Sequence, residues 1–200
     1  MPKFSENEKA IIKEKLHIEG ERLFIQHGIK KVTVDDLVKA AGIAKGSFYA
    51  FYKNKEHLYM EIMGILQKKM LEDKKDFLKK NCPMPPKELM KKVILWFFRE
   101  AQKYPMVIRQ DSETTEYLFR KLPKEVMDAH THEDKQDILE LMEYGITFKC
   151  DIEIATKTLQ MLAITFLNLQ SDMNDNYDNV MEIMLNGVIN EIVRDDYDSC

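Results

Sequence analysis

Apolar positions recur at intervals of three and four along most of the chain, a spacing that predicts about nine helices and an all-α fold. The first helix covers about residues 5–27, with Ile12, Leu16, Leu23 and Phe24 on one side. Leu37, Val38, Ala40 and Ala41 make the apolar side of a short second helix, and a third short helix spans 44–51. A long helix follows from Lys55 to about Lys80, capped by Asn54 and carrying Leu58, Ile62, Ile65, Leu66 and Met70. The run Cys82-Pro83-Met84-Pro85-Pro86 ends it, because proline has no N–H with which to continue the ladder. Pro86 suits the first turn of the next helix, to about Lys103. There Leu89, Val93, Trp96 and Phe97, with Met90, Ile94 and Phe98 beside them, cover so much of the girth that a deeply buried or cavity-lining helix is expected. Pro105 and Pro123 open segments at about 105–118 and 123–142.

Two helices close the pattern, over about 152–170 and 177–194. The first has one stripe of Ala155, Leu159, Leu162 and Phe166 and another of Ile154, Thr158, Met161 and Thr165. The last carries Val180, Ile183, Met184, Val188 and Ile192, with Gly187 leaving room for a close helix. Helices with two apolar sides need two partners, and a second copy of the chain can be one of them.

Residues 33–58 hold the most specific local chemistry. Thr33 can cap the second helix, and Asp36 three residues on can complete a capping box. Gly42 follows the helix at once and can take the left-handed conformation that stops it. Lys45, Gly46 and Ser47 then open the third helix with a basic, small and hydrogen-bonding end. Ala44 at its cap position offers no side-chain acceptor, a deficit of roughly 1 kcal/mol against serine. Two short helices joined by a glycine turn form a helix-turn-helix, which can place its second helix in a DNA major groove.

Charge refines this picture. The net −4 conceals eleven Lys/Arg against seven Asp/Glu in residues 1–55, and nineteen against twenty-seven in residues 56–200. A basic head on an acidic body directs only the head toward a polyanion. The longest wholly apolar run, Val93 to Phe98, is too short for a membrane span, and Glu6 and Glu8 interrupt the start where a secretion signal needs an apolar stretch. Cys82, Cys150 and Cys200 are widely spaced and odd in number, which suits reduced thiols and a cytoplasmic location.

The order Leu23-Phe24, Gly28, Thr33-Val34, Ala41-Gly42-Ile43, Lys45-Gly46-Ser47-Phe48-Tyr49 and Lys55-Glu56-His57-Leu58 resembles the DNA-binding module of the TetR family of transcriptional regulators, over about residues 10–60. The resemblance implies a three-helix DNA-binding head (1–54) and a helical ligand-binding and dimerisation body (55–200), a homodimer, a palindromic double-stranded operator and release by a small-molecule effector. It implies that Thr33, Tyr49 and Lys55 hold phosphates, and that Lys45, Gly46 and Ser47 open the recognition helix. Phe48 is expected either to touch a thymine methyl or to pack locally. Phe51 stands where the family often has Tyr or His, so its contact, if it makes one, is apolar packing.

For the body, Trp96, Phe97, Tyr117, Met161 and Phe166 are the candidate effector contacts, with Tyr104, Phe119 and Phe148 among the other interior aromatics. Aromatics and methionines at this spacing are usually plain core. With no buried charge evident, an uncharged or weakly polar, apolar ligand is expected. No cofactor is expected, and no enzymatic signature appears: there is neither a phosphate loop nor a nucleophile elbow. His130-Thr131-His132-Glu133-Asp134 lacks the i, i+4 spacing of zinc ligands and reads as a solvated helix end. A ligand-independent regulator, or a redox sensor using Cys82 or Cys150, stands as the alternative.

Overall fold

The computed structural model describes residues 5–100, 103–108, 112–131, 133–169 and 177–195. Among these the chain is all helix: α1 (Glu6–Lys31), α2 (Val34–Ala41), α3 (Lys45–Phe48), α4 (Lys55–Asn81), α5 (Pro86–Glu100), α6 (Pro105–Ile108), α7 (Ser112–Lys121), α8 (Lys124–Thr131), α9 (Glu133–Glu143), α10 (Ile152–Leu169) and α11 (Tyr177–Ile192). Eleven helices replace the nine expected, because each of the two windows opened by Pro105 and Pro123 holds a pair. Residues 109–111 and 132, between the members of each pair, lie outside the described residues. None of these helices is long and apolar enough to cross a membrane.

The helices form two compact units, residues 1–69 with 104–130, and residues 70–103 with 131–200. In the first, Leu16, Leu23, Phe24, Leu37, Phe48, Leu58 and Ile62 are buried. Gly20 lets α1 cross α4 closely: a Cβ there would lie 2.9 Å from Ile62 Cδ1 and 3.4 Å from Leu58 Cδ2. Gly28 takes φ 72°, ψ 152° and breaks α1 at the point where the periodic pattern ends. The segment α6–α8 also belongs to this unit, and Lys30 of α1 pairs with Glu113 of α7 at 2.6 Å. The first unit is therefore larger than the sequence-defined head, taking in the start of α4 and a segment from much later in the chain.

In the second unit, Phe98 meets Phe166 edge to face with centroids 5.3 Å apart, and Phe77 stacks on Trp96 at 5.5 Å. Leu89, Ile146, Ala155, Leu185 and Val193 are fully buried beside them. The chain before α10 is held to the end of α11 by backbone bonds from Lys149 N to Ile192 O (2.8 Å) and from Arg194 N to Thr147 O (2.9 Å). α10 splits its apolar residues between two sides as the pattern predicts. α11 instead buries Leu185 and Ile189, which the pattern did not single out, and exposes Ile183 and Met184 from the set it named. Ala155, Leu162, Phe166, Leu185 and Ile189 face inward, while Ile154, Met161 (70% exposed), Ile164 and Ile183 (72% exposed) do not.

Candidate nucleic-acid interface

The interface is built from the cap of α2 onward. Thr33 Oγ1 accepts from Asp36 N at 3.2 Å, while the Asp36 carboxylate accepts from Thr33 N at 2.9 Å and from Thr33 Oγ1 at 2.6 Å. These bonds from the Thr33 hydroxyl and backbone hold the Asp36 carboxyl below the usual aspartate value. Gly42, at φ 66° and ψ 38°, ends α2, and Ile43 N reaches back to Val38 O at 3.0 Å in a Schellman closure. The chain is thereby turned so that α3 starts three residues later.

α3 is shorter than the expected 44–51. Ala44 makes no capping bond, and after Phe48 the backbone tightens into three-residue turns, Ala50 N to Ser47 O at 3.2 Å and Phe51 N to Phe48 O at 3.0 Å. Lys45, Gly46 and Tyr49 are exposed on it, as is Thr33 at the start of α2. Ser47 is buried, so it opens the helix without standing on its surface. Phe48 is fully buried, edge to face with Tyr49 at 5.4 Å and tilted on Tyr52 at 5.7 Å, so the thymine-methyl reading gives way to local packing. Phe51 is half-buried. Lys45 lies 2.9 Å from the Asp35 carboxylate, whose hydrogen bond raises the lysine pKa.

Lys55 differs most from its expected role. Its ammonium donates to the carbonyls of Val32 (2.6 Å), Ile29 (2.7 Å) and Lys30 (3.3 Å), and lies 5.8 Å over the Tyr117 ring. These carbonyls end α1, where the helix leaves its acceptors unmatched and its dipole is negative. Burial holds the lysine below its ordinary pKa. The side chain closes the head internally and is not presented as an uncommitted cation. Asn54 caps α4 as expected, its Oδ1 accepting from His57 N at 3.0 Å.

The head also contains a polar group that the sequence did not suggest. Glu61 lies 2.8 Å from Lys13 and 3.3 Å from His17, and His17 Nε2 is 2.9 Å from the hydroxyl of buried Tyr52. The Lys13–His17 spacing places both on one side of α1, but nothing in the sequence identifies Tyr52 and Glu61 as their partners. Burial outweighs the Glu61 carboxylate and holds His17 below 6.5. A depressed value means that neutral His17 contributes stability above about pH 6.5, lost as pH falls through the folded-state value. The melting temperature of the head is therefore expected to drop between pH 7 and 5, and less in His17→Gln; parallel slopes in the two proteins would show that His17 is not responsible.

The candidate effector residues separate. A cavity of about 220 Å³ in the second unit is lined by Trp96 and Phe97, with Val93, Ile138, Leu159 and Ala163 among its apolar neighbours. Phe166 is packed behind Phe98 in the core, outside that lining. Met161 is on the exposed stripe of α10. Tyr117 belongs to the first unit, where its hydroxyl donates to the buried Glu56 carboxylate. Tyr104 is buried in that same unit, Phe119 is exposed and Phe148 is in the core of the second unit. The expectation of no buried charge also needs correction, since Glu56, Lys74 and Glu100 are all buried and Lys74 lines the cavity. Burial raises the Cys82 thiol, while Cys200 and His132 lie outside the described residues, as do the side chains of His130, Thr131, Glu133 and Asp134.

Residues 19–62, from within α1 into α4, match the sequence profile of bacterial regulatory proteins of the tetR family. The chain is 24% identical over 164 residues to an uncharacterised HTH-type transcriptional regulator, YhgD of Bacillus subtilis, covering 79% of this chain and 84% of that protein. Its fold is similar to that of SmeT, the repressor of the Stenotrophomonas maltophilia multidrug efflux pump SmeDEF, with a TM-score of 0.61 at 15% identity over 92% and 91% of the two chains. RolR in complex with its ligand resorcinol gives a TM-score of 0.56 at 16% identity over 92% and 90%.

Proposed function

We propose that this chain, whose residues 19–62 match the tetR-family profile, is a DNA-binding transcriptional regulator of that family and acts as a homodimeric repressor of a palindromic operator, released by a small, mainly apolar ligand. The observation that carries this reading is the build of α2–α3, which ends in an exposed Lys45, Gly46 and Tyr49 on a rigidly capped turn. Phosphates would be met by Tyr49 and by the N-terminal turn of α2 at Thr33, and base edges by Lys45 where Gly46 allows close approach. One such head covers little DNA, whereas two related by a two-fold axis roughly add their contacts and demand a symmetric site. The exposed apolar stripes of α10 and α11, with nothing within 4 Å of where a Cβ at Gly187 would sit, support the homodimer.

Release requires a ligand that favours one spacing of the heads over another, since equal affinity for both arrangements shifts nothing. The cavity behind Trp96 is the effector site in this reading, and α4, which contributes residues to both units, is the covalent route to the head. A location alongside the chromosome follows.

Fluorescence anisotropy with the DNA flanking the protein's own gene, together with sedimentation, tests the proposal. A dimer that prefers one fragment strongly over random DNA is expected, and a monomer, or indifference to sequence, overturns it. Asp35→Asn is expected to strengthen operator binding severalfold at low salt, because it frees Lys45 and removes a negative charge from the reading surface. Unchanged or weaker binding would show that Lys45 does not engage DNA.

A further inference from the structure

The wall of the second-unit cavity is apolar except at Lys74, Thr156 and Gln160. Thr156 directs its hydroxyl to Ile152 O of its own helix at 2.7 Å. Lys74 is different in kind: its side chain is only 10% exposed, and its ammonium lies 2.7 Å from Glu140, itself 12% exposed. Of this pair only Lys74 lines the cavity, while Glu140 lies outside the lining and is also 3.3 Å from Lys75. A wholly apolar ligand has no use for this pair, whose desolvation an apolar pair of the same size would avoid. An anionic group on the ligand would instead gain a charge-assisted hydrogen bond, strengthened by the low-dielectric wall. The volume of about 220 Å³ falls below the roughly 300–1,000 Å³ that hold drug-sized ligands.

We infer that the cavity takes a small, mostly apolar molecule bearing one anionic group, which engages Lys74 in competition with Glu140. This rests on the effector reading of the second unit, but its test reads the cavity and not the operator. Trp96 is the chain's sole tryptophan and lines the cavity, so its fluorescence reports occupancy directly. Octanoate, 1-octanol and octylammonium share one chain and differ in charge. Octanoate is expected to perturb Trp96 saturably and to bind at least tenfold more tightly than either of the others. Glu140→Gln should tighten octanoate further. Lys74→Met should remove the preference, and the double variant K74M/E140Q, which leaves neither charge buried alone, serves where the single variant does not fold. Equal binding of octanoate and octanol, no response of Trp96 to any probe, or an octanoate preference that survives in K74M/E140Q would each overturn the inference. Lys74-dependent octanoate binding without any change in operator affinity would uphold it and remove the release mechanism instead.

Discussion

Phe48→Ala is expected to cost the first unit about 3–5 kcal/mol and to abolish operator binding through loss of the recognition helix. α3 has only four residues and no side-chain cap, so it has almost no stability of its own and depends on packing. Phe48 supplies that packing: its side chain is fully buried, with Tyr49 and Tyr52 against its ring. Removing it leaves a cavity at the root of the helix that carries Lys45 and Tyr49. Phe48→Leu keeps most of the volume and should cost far less, with operator preference intact. Thermal unfolding and competition binding check both variants. A stably folded Phe48→Ala protein with altered preference at one base would instead return the ring to the groove.

Lys55→Met is expected to lower stability by about 2 kcal/mol while leaving the salt dependence of DNA binding nearly unchanged. Methionine keeps the apolar stem but returns the carbonyls of Ile29, Lys30 and Val32 to partial solvation. A phosphate contact behaves in the opposite way: its loss flattens the salt slope by about one unit and spares the fold. Chemical denaturation and a salt titration of operator affinity separate the two roles. A flattened slope with unchanged stability would restore the role that the resemblance implies.

Local backbone chemistry was the most legible part of the chain. Thr33 with Asp36, Gly42 and the missing cap at Ala44 each act within a few residues of themselves, so their sequence context suffices to read them. The proline-bounded ends of α4 and α5 follow for the same reason. Side-chain direction was less legible. Phe48 and Tyr49 are neighbours on one short helix, yet one is interior and the other exposed, which the partner residues decide. Met161 and Phe166 both fit apolar stripes of α10, and only the assembled unit shows which stripe is covered. Lys55, Tyr117 and Glu140 were misread or missed because their partners are distant in sequence, at α1, at Glu56 and at Lys74. Charge in an otherwise apolar wall has no periodic signature at all.

The first unit draws on two stretches separated by more than thirty residues of the second. During synthesis, then, the DNA-reading end cannot complete its own core when the ribosome has delivered only residues 1–69. It must wait until Met106, Tyr117 and Leu118 have emerged. Any shortened chain that stops before them would lack the hydroxyl that meets Glu56 and the carboxylate that meets Lys30. Chains interrupted in mid-translation would thus carry a first unit with an unfinished core.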